Sequence, residues 1–182
     1  MSDEANLDAY LRRINYAGSI APTLETLQEV HRLHVTTIPF ENLDPLMELP
    51  VRLQLSDIEQ KLLLERRGGY CLEHNLLLRA VLESMDYAVT PVGAGVLWGH
   101  EPDYQPQQYS HIALIVDVGG ATWLADVGFG GPGCRDQSAC APTTSRRRRM
   151  AAIVCRAAIP SGGWNRRFQA NGDRSTSSRR HG

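Results

Sequence analysis

Two apolar runs joined by a pair of glycines constrain this chain more than any other feature, because they set both a hairpin and the side chains that share each of its faces. His111-Ile112-Ala113-Leu114-Ile115-Val116-Asp117-Val118 and Ala121-Thr122-Trp123-Leu124-Ala125-Asp126-Val127-Gly128 read as strands, with Gly119-Gly120 as a two-residue turn. If Val118 lies opposite Ala121, then His111 falls opposite Gly128 and Ala113 opposite Asp126. His111 and Asp126 become diagonal neighbours on one face, within side-chain reach. Gly128 is expected to leave open space over the imidazole. The other face carries Ile112, Leu114, Val116 and Val118 against Ala121, Trp123, Ala125 and Val127, an apolar surface that a one-residue slip would destroy.

Upstream, Arg67-Gly68-Gly69-Tyr70-Cys71 ends one helical run and opens another, in which Leu78, Val81, Leu82 and Met85 recur at helical spacing. Gly68 and Gly69 are expected to let the backbone turn tightly there. Cys71 then occupies the first turn of a buried helix, where unpaired N–H groups and the helix dipole favour a thiolate. Arg66 and Arg67 are expected to act in the same direction. A cysteine ahead of an apolar helix is by itself an ordinary small hydrophobe. With His111 available to take its proton and Asp126 to orient the imidazole, it becomes a candidate nucleophile for acyl transfer.

Earlier in the chain, Leu7, Tyr10, Leu11 and Ile14 mark one amphipathic helix, and Leu24, Leu27, Val30 and Leu33 a second that must stop before Pro39. Ser56 and Glu59 have capping-box spacing ahead of Leu62, Leu63 and Leu64. The fold class is α+β: a helical bundle over 1–86 carrying Cys71, then part of an antiparallel β-barrel over 87–133, with strands over Val89–Trp98, His111–Val118 and Ala121–Phe129. His31 and His34 share a helix face but have no acidic or cysteine partner at ligand spacing, so no metal is expected and a solvated or core-edge role is assigned to both. His74, one turn beyond Cys71, is read as structural.

Ile38-Pro39-Phe40-Glu41-Asn42-Leu43, Arg67-Gly68-Gly69-Tyr70-Cys71, Ser110-His111-Ile112 and Asp126-Val127-Gly128-Phe129-Gly130-Gly131 stand in the order of the signature blocks of the arylamine N-acetyltransferases, a family that residues 3–133 resemble. The resemblance implies a cysteine-proteinase-like arrangement in which Cys71 is the nucleophile, His111 the base and Asp126 its orienter. It implies acetyl-CoA as co-substrate, near Gly128, Phe129 and Gly130. The acceptor would be an arylamine, arylhydroxylamine or hydrazine lined by Phe40, Val96 and Phe129. The same Cys, His, Asp order also serves transglutaminase-like cysteine hydrolases, and an inactive truncated remnant is the remaining alternative.

The 182 residues are fewer than the family's three domains require, and the composition changes abruptly. Residues 1–133 hold 8 Lys+Arg against 18 Asp+Glu, whereas 134–182 hold 11 against 2, so a net charge of -1 conceals two opposite halves. From Cys134 onward there is no Leu, Lys, Glu or Tyr. This stretch, 134–182, is expected to be an irregular or disordered tail foreign to the family, arising from a reading-frame change after Gly133. Its arginines lack a nucleic-acid-binding fold or aromatic interleaving, so no specific nucleic-acid partner is expected. Cys134, Cys140 and Cys155, with five and fourteen residues between neighbours, form neither a compact zinc pattern nor a disulfide framework. No run approaches the roughly 18 apolar residues that span a bilayer, and a cytoplasmic setting is expected. Translating the gene in its other frames tests the frame change: family-like sequence should reappear downstream of Gly133, and its absence from both frames would refute the idea.

Overall fold

In the computed structural model the described residues are 4–96, 109–130, 141–142 and 153–158. Helices α1 (Leu7–Arg13), α2 (Leu24–Thr37), α3 (Leu43–Leu46), α4 (Leu55–Glu59) and α5 (Cys71–Ser84) precede strands β1 (Ala88–Val96), β2 (His111–Val118), β3 (Ala121–Ala125), β4 (Ala141–Pro142) and β5 (Ile153–Ala158). No helix among the described residues is long and apolar enough to cross a membrane.

Apolar spacing explains the early helices. Tyr10, Ile14, Leu27 and Val30 are fully buried, and α1 and α2 are capped by Asn6 and Thr23, whose side-chain oxygens accept from Ala9 N–H and Thr26 N–H. The Ser56–Glu59 capping box does not form. Helix α4 starts two residues earlier than that box implies, at Leu55 with Gln54 as its N-cap, and Glu59 instead accepts the backbone N–H of Asn6 at 2.6 Å. After α4 the chain widens into a π-helical turn, Gln60–Leu64, that buries Leu62 and Leu63.

Gly68 and Gly69 have a different purpose from the one expected. Neither adopts a left-handed backbone. Instead, a Cβ on Gly68 would lie 2.1 Å from the Pro39 carbonyl oxygen, and one on Gly69 would lie 2.9 Å from Glu73 Oε2. Gly68 lets the 39–41 segment pack directly on the chain entering α5, and Gly69 leaves room for the Glu73 side chain. There Gly69 N–H donates to Pro39 O and Glu41 N–H to Gly69 O, forming a short parallel bridge.

The sheet runs β4-β3-β2-β1-β5, every pairing is antiparallel, and the described strands do not close into a barrel. The hairpin has the expected register, from Val118 opposite Ala121 to Leu114 opposite Ala125, with Gly119 and Gly120 both at positive φ. Strand β3 stops at Ala125 rather than reaching Phe129. Beyond it, the N–H groups of Val127 and Gly128 are taken by side-chain oxygens of Asn75 and Asp126, which leaves the ladder no donors.

Strands β4 and β5 correct the expectation that nothing regular follows Gly133. Charge and the lack of leucine weigh against burying a core, but backbone pairing needs only an open sheet edge, and Ile153-Val154 is β-prone. The remaining tail residues lie outside those described. One hydrophobic cluster runs from Tyr10, Leu27, Leu62, Leu77 and Leu78 in the helices to Leu114, Val116 and Ala125 in the sheet. Helix α5 contributes Leu77, Leu78, Val81 and Leu82 to it, so Cys71 is held by the best-buried of the described helices.

Gly68→Ala should destabilise the protein by ~1–3 kcal/mol, since the nearest obstacle is backbone. Gly119→Ala, with nothing within 4 Å, should cost only the ~1–2 kcal/mol of a left-handed backbone. Urea unfolding midpoints measure both, and an unchanged midpoint for Gly68→Ala would contradict the packing role.

Candidate active site

Cys71 is the first residue of α5 and stays partly exposed, with its thiol 3.9 Å from the Ser110 carbonyl oxygen. What precedes it is locked by charge. Glu73 accepts the Tyr70 N–H at 2.9 Å through Oε2 and Lys61 Nζ at 2.7 Å through Oε1. Lys61 also meets Asp44 at 2.7 Å, and Arg67 joins Asp44 to Glu41. Arg67 is therefore committed to two carboxylates.

His111 opens β2 at 3 % exposure, and its Nε2–H donates to Asp126 Oδ2 at 2.6 Å. Cys71 lies near enough for its sulfur to favour the charged ring, while the thiol's own hydrogen bond is to the Ser110 carbonyl. Because Nε2 is taken, Nδ1 is the atom left for the sulfur. Burial resists a charged ring, yet the hydrogen bond to Asp126 and the nearness of Asp126 and Cys71 outweigh it and raise the His111 pKa to about 9. At neutral pH the ring holds its proton.

Asp126, 2 % exposed, is satisfied on every side. Oδ2 takes His111, while Oδ1 accepts from Asn75 Nδ2 and from the N–H of Gly128, both at 2.9 Å. Burial opposes the carboxylate, but these donors and the imidazolium hold the carboxyl below its ordinary range. The backbone carbonyl of Asp126 accepts Nε2–H of His31 at 3.0 Å. His31 is thus a buried brace from α2, in place of the solvated or core-edge role read from sequence.

Asn75 is the residue that sequence reasoning passed over. Its Nδ2 donates to Ile112 O at 2.8 Å as well as to Asp126, and its Oδ1 accepts from Val127 N–H at 3.1 Å. One amide joins α5, β2 and the Asp126 turn. Its position four residues after Cys71, on the same helix face, was the available signal.

Gly128 does not leave space over the imidazole. A Cβ there would lie 2.7 Å from Cys71 Cα, so this glycine lets the turn touch the first turn of α5. Phe129 meets the His111 ring edge-on at 5.8 Å and 84°. Gly130, at φ +67°, lies against the Phe40 ring, which is 45 % exposed and stacks on His74. Val96 ends β1, and its side chain lies outside the described residues. No group of His, Cys, Asp and Glu suited to a metal ion occurs among the described residues.

Burial also governs His74, whose pKa falls to about 4 despite its hydrogen bond with the Pro39 carbonyl. His34, completely enclosed beside His74, is pushed well below its ordinary value by the same desolvation.

A profile of the N-acetyltransferase family matches residues 23–155, which extends past Gly133. An arylamine N-acetyltransferase of Mycobacterium tuberculosis is 42% identical over 153 residues, covering 80% of this chain and 54% of that protein. The solved arylamine N-acetyltransferase of M. tuberculosis superposes with a TM-score of 0.66 at 46% identity, over 70% of this chain and 48% of that one. The Mycobacterium marinum enzyme, solved in complex with CoA, gives 0.64 at 44% identity, over 68% and 46%. The chain spans about half the length of the curated relatives it matches.

Two outcomes follow. Asn75→Ala should cost ~1–3 kcal/mol in unfolding free energy, because it strands the Val127 N–H and removes a donor from a buried carboxylate. A loss within error would refute the bracing role. Acid should also weaken the fold. In the unfolded chain His74 titrates near its ordinary ~6.5, whereas folded it resists protonation down to about 4. Between those values the unfolded state binds more protons, so stability falls as pH drops from ~6.5 towards 4. Melting temperatures across that range check it, and a flat profile would contradict it.

Proposed function

The chain belongs to the arylamine N-acetyltransferase family, and from that premise we propose that it carries an acetyl group from acetyl-CoA to an aromatic amine, hydroxylamine or hydrazine through a thioester on Cys71. The single observation that supports this best is the 2.6 Å His111–Asp126 pair, buried beside a partly exposed cysteine at a helix N-terminus.

In this reading His111 carries the proton that Cys71 gives up when its sulfur acts as nucleophile. The thiolate attacks the acetyl carbonyl carbon, a new C–S bond forms and the coenzyme C–S bond breaks. The departing coenzyme sulfur takes the proton from His111 Nδ1, which leaves a neutral ring. An amine then attacks the acetyl-cysteine, His111 takes the amine proton, and the Cys71 thiolate leaves as the amide forms. Asp126 holds the imidazole in the tautomer that faces sulfur and stabilises it when charged.

Gly128, Phe129 and Gly130 suit the coenzyme side, since this turn touches the backbone of Cys71 and Phe129 leans on His111. Phe40 and Phe129 suit an aromatic acceptor, for which half-exposed rings offer stacking surface, and Val96 is proposed beside them. A reducing compartment, the cytoplasm, suits a thiol that must stay unoxidised. Neither a membrane nor a specific nucleic acid enters this reading.

Intact-mass and peptide-mapping measurements on the full chain, incubated with acetyl-CoA and no amine, should find one acetyl group on Cys71, released when an arylamine is added. Asp126→Asn should slow loading by ~10⁴-fold. An unmodified thiol in a folded sample would contradict the proposal, and processing of a glutamine-containing peptide without any response to acetyl-CoA would favour the hydrolase class.

A further inference from the structure

Beneath the site a hydrogen-bonded chain crosses three helices: Tyr10 of α1 to His34 Nδ1 of α2 at 2.9 Å, His34 Nε2 to His74 Nδ1 of α5 at 2.8 Å, and His74 Nε2 to the Pro39 carbonyl at 3.2 Å. Tyr10, His34 and His74 are all fully buried. Their protons can be arranged in one way only. The Pro39 carbonyl accepts and cannot donate, so His74 Nε2 carries hydrogen. A neutral ring leaves Nδ1 bare, so His34 Nε2 must donate to it. By the same logic, the Tyr10 hydroxyl must donate to His34 Nδ1. Any other pair of neutral tautomers sets two lone pairs or two hydrogens against each other among fully buried side chains.

The far end of this chain is the acceptor side of the site. His74 stacks with the Phe40 ring at 6.2 Å and 12°, and Gly130 lies against the same ring with no room for a Cβ. His74 also holds the carbonyl immediately before Phe40, which shares the bridge to Gly69, two residues ahead of Cys71. Ring and backbone of Phe40 are therefore both referred to α5, the helix that carries the sulfur.

We infer that His74 is a positioning residue for the acceptor wall, holding Phe40 at a set distance from Cys71 through a tautomer that the Pro39 carbonyl sets and that His34 and Tyr10 complete. This rests on the acetyl-transfer reading for the identity of the acceptor, but the order of the chain does not. Tyr10→Phe is the sharpest probe: it deletes one hydroxyl, keeps the ring volume in the core and touches neither Cys71 nor Phe40. His34 Nδ1 then loses its donor and is left bare among buried side chains, which weakens the hold of His34 on His74 and loosens the Phe40 support.

In the full chain, Tyr10→Phe should raise KM for an arylamine by about tenfold while changing the rate of acetyl loading on Cys71 by less than about twofold. In a Phe40→Ala background the same substitution should have no further effect on KM, because the residue through which it acts is gone. Equal losses in loading and KM, or an undiminished effect in the Phe40→Ala background, would overturn the inference. A second measurement stands apart from activity, so failure of the transfer reading alone is recognisable. Nitrogen-15 imidazole spectra should show both His34 and His74 as Nε2–H tautomers, and Tyr10→Phe should remove the Phe40 ring-current shift from His74. Mixed tautomers in the parent protein, or an unmoved shift in the variant, would also overturn it.

Discussion

One buried carboxylate organises the site. Taking a charge out of water costs several kcal/mol unless partners replace the lost hydration, and Asp126 finds those partners on different elements. His111 comes from β2, Asn75 from α5 and the Gly128 N–H from its own turn, while His31 of α2 holds the adjacent backbone carbonyl. The carboxylate can be buried only if the start of β2 and the start of α5 meet. Cys71 and His111 are neighbours for that reason, and the raised proton affinity of His111 is the same interaction seen from the other side.

A second ionic construction holds the helix end that carries the sulfur. Glu73, Lys61, Asp44, Arg67 and Glu41 alternate in sign from the first turn of α5, through the π-helical turn, to the segment after Phe40. Hydrogen bonds from Lys61 and Arg67 hold the Asp44 carboxyl below its ordinary range. Such pairs contribute little net stability when partly buried, but removing one partner strands the other. Their effect is to set geometry: the parallel bridge between Phe40 and Gly69 is clamped on both sides by charge, and Gly68 makes room for it.

Much of this was legible from residue order. The hairpin register followed from period-two alternation and a glycine pair, both local signals, and the structure has that register. Helices α1, α2 and α5 were visible in their apolar spacing. What escaped depends on contacts far apart in sequence. Glu59 abandons its own helix for Asn6, 53 residues away. Gly128 faces Cys71 rather than empty space, and Gly68 faces Pro39. A glycine looks the same in sequence whether it supplies a left-handed turn, as Gly119 does, or a gap for a neighbouring backbone. Asn75 shows the limit best, because its neighbours in sequence reveal that it faces the site but not which backbone groups it will satisfy.

The account stands on an imidazole that keeps its proton because a buried carboxylate lies 2.6 Å away. The direct measurement is an NMR titration of His111 in the full chain, following its ring carbon-bound protons against pH. A midpoint near 9 is predicted, with the ring charged throughout the neutral range. A midpoint at the ordinary ~6.5 for histidine would contradict it, leaving Cys71 beside a ring that carries no charge to share.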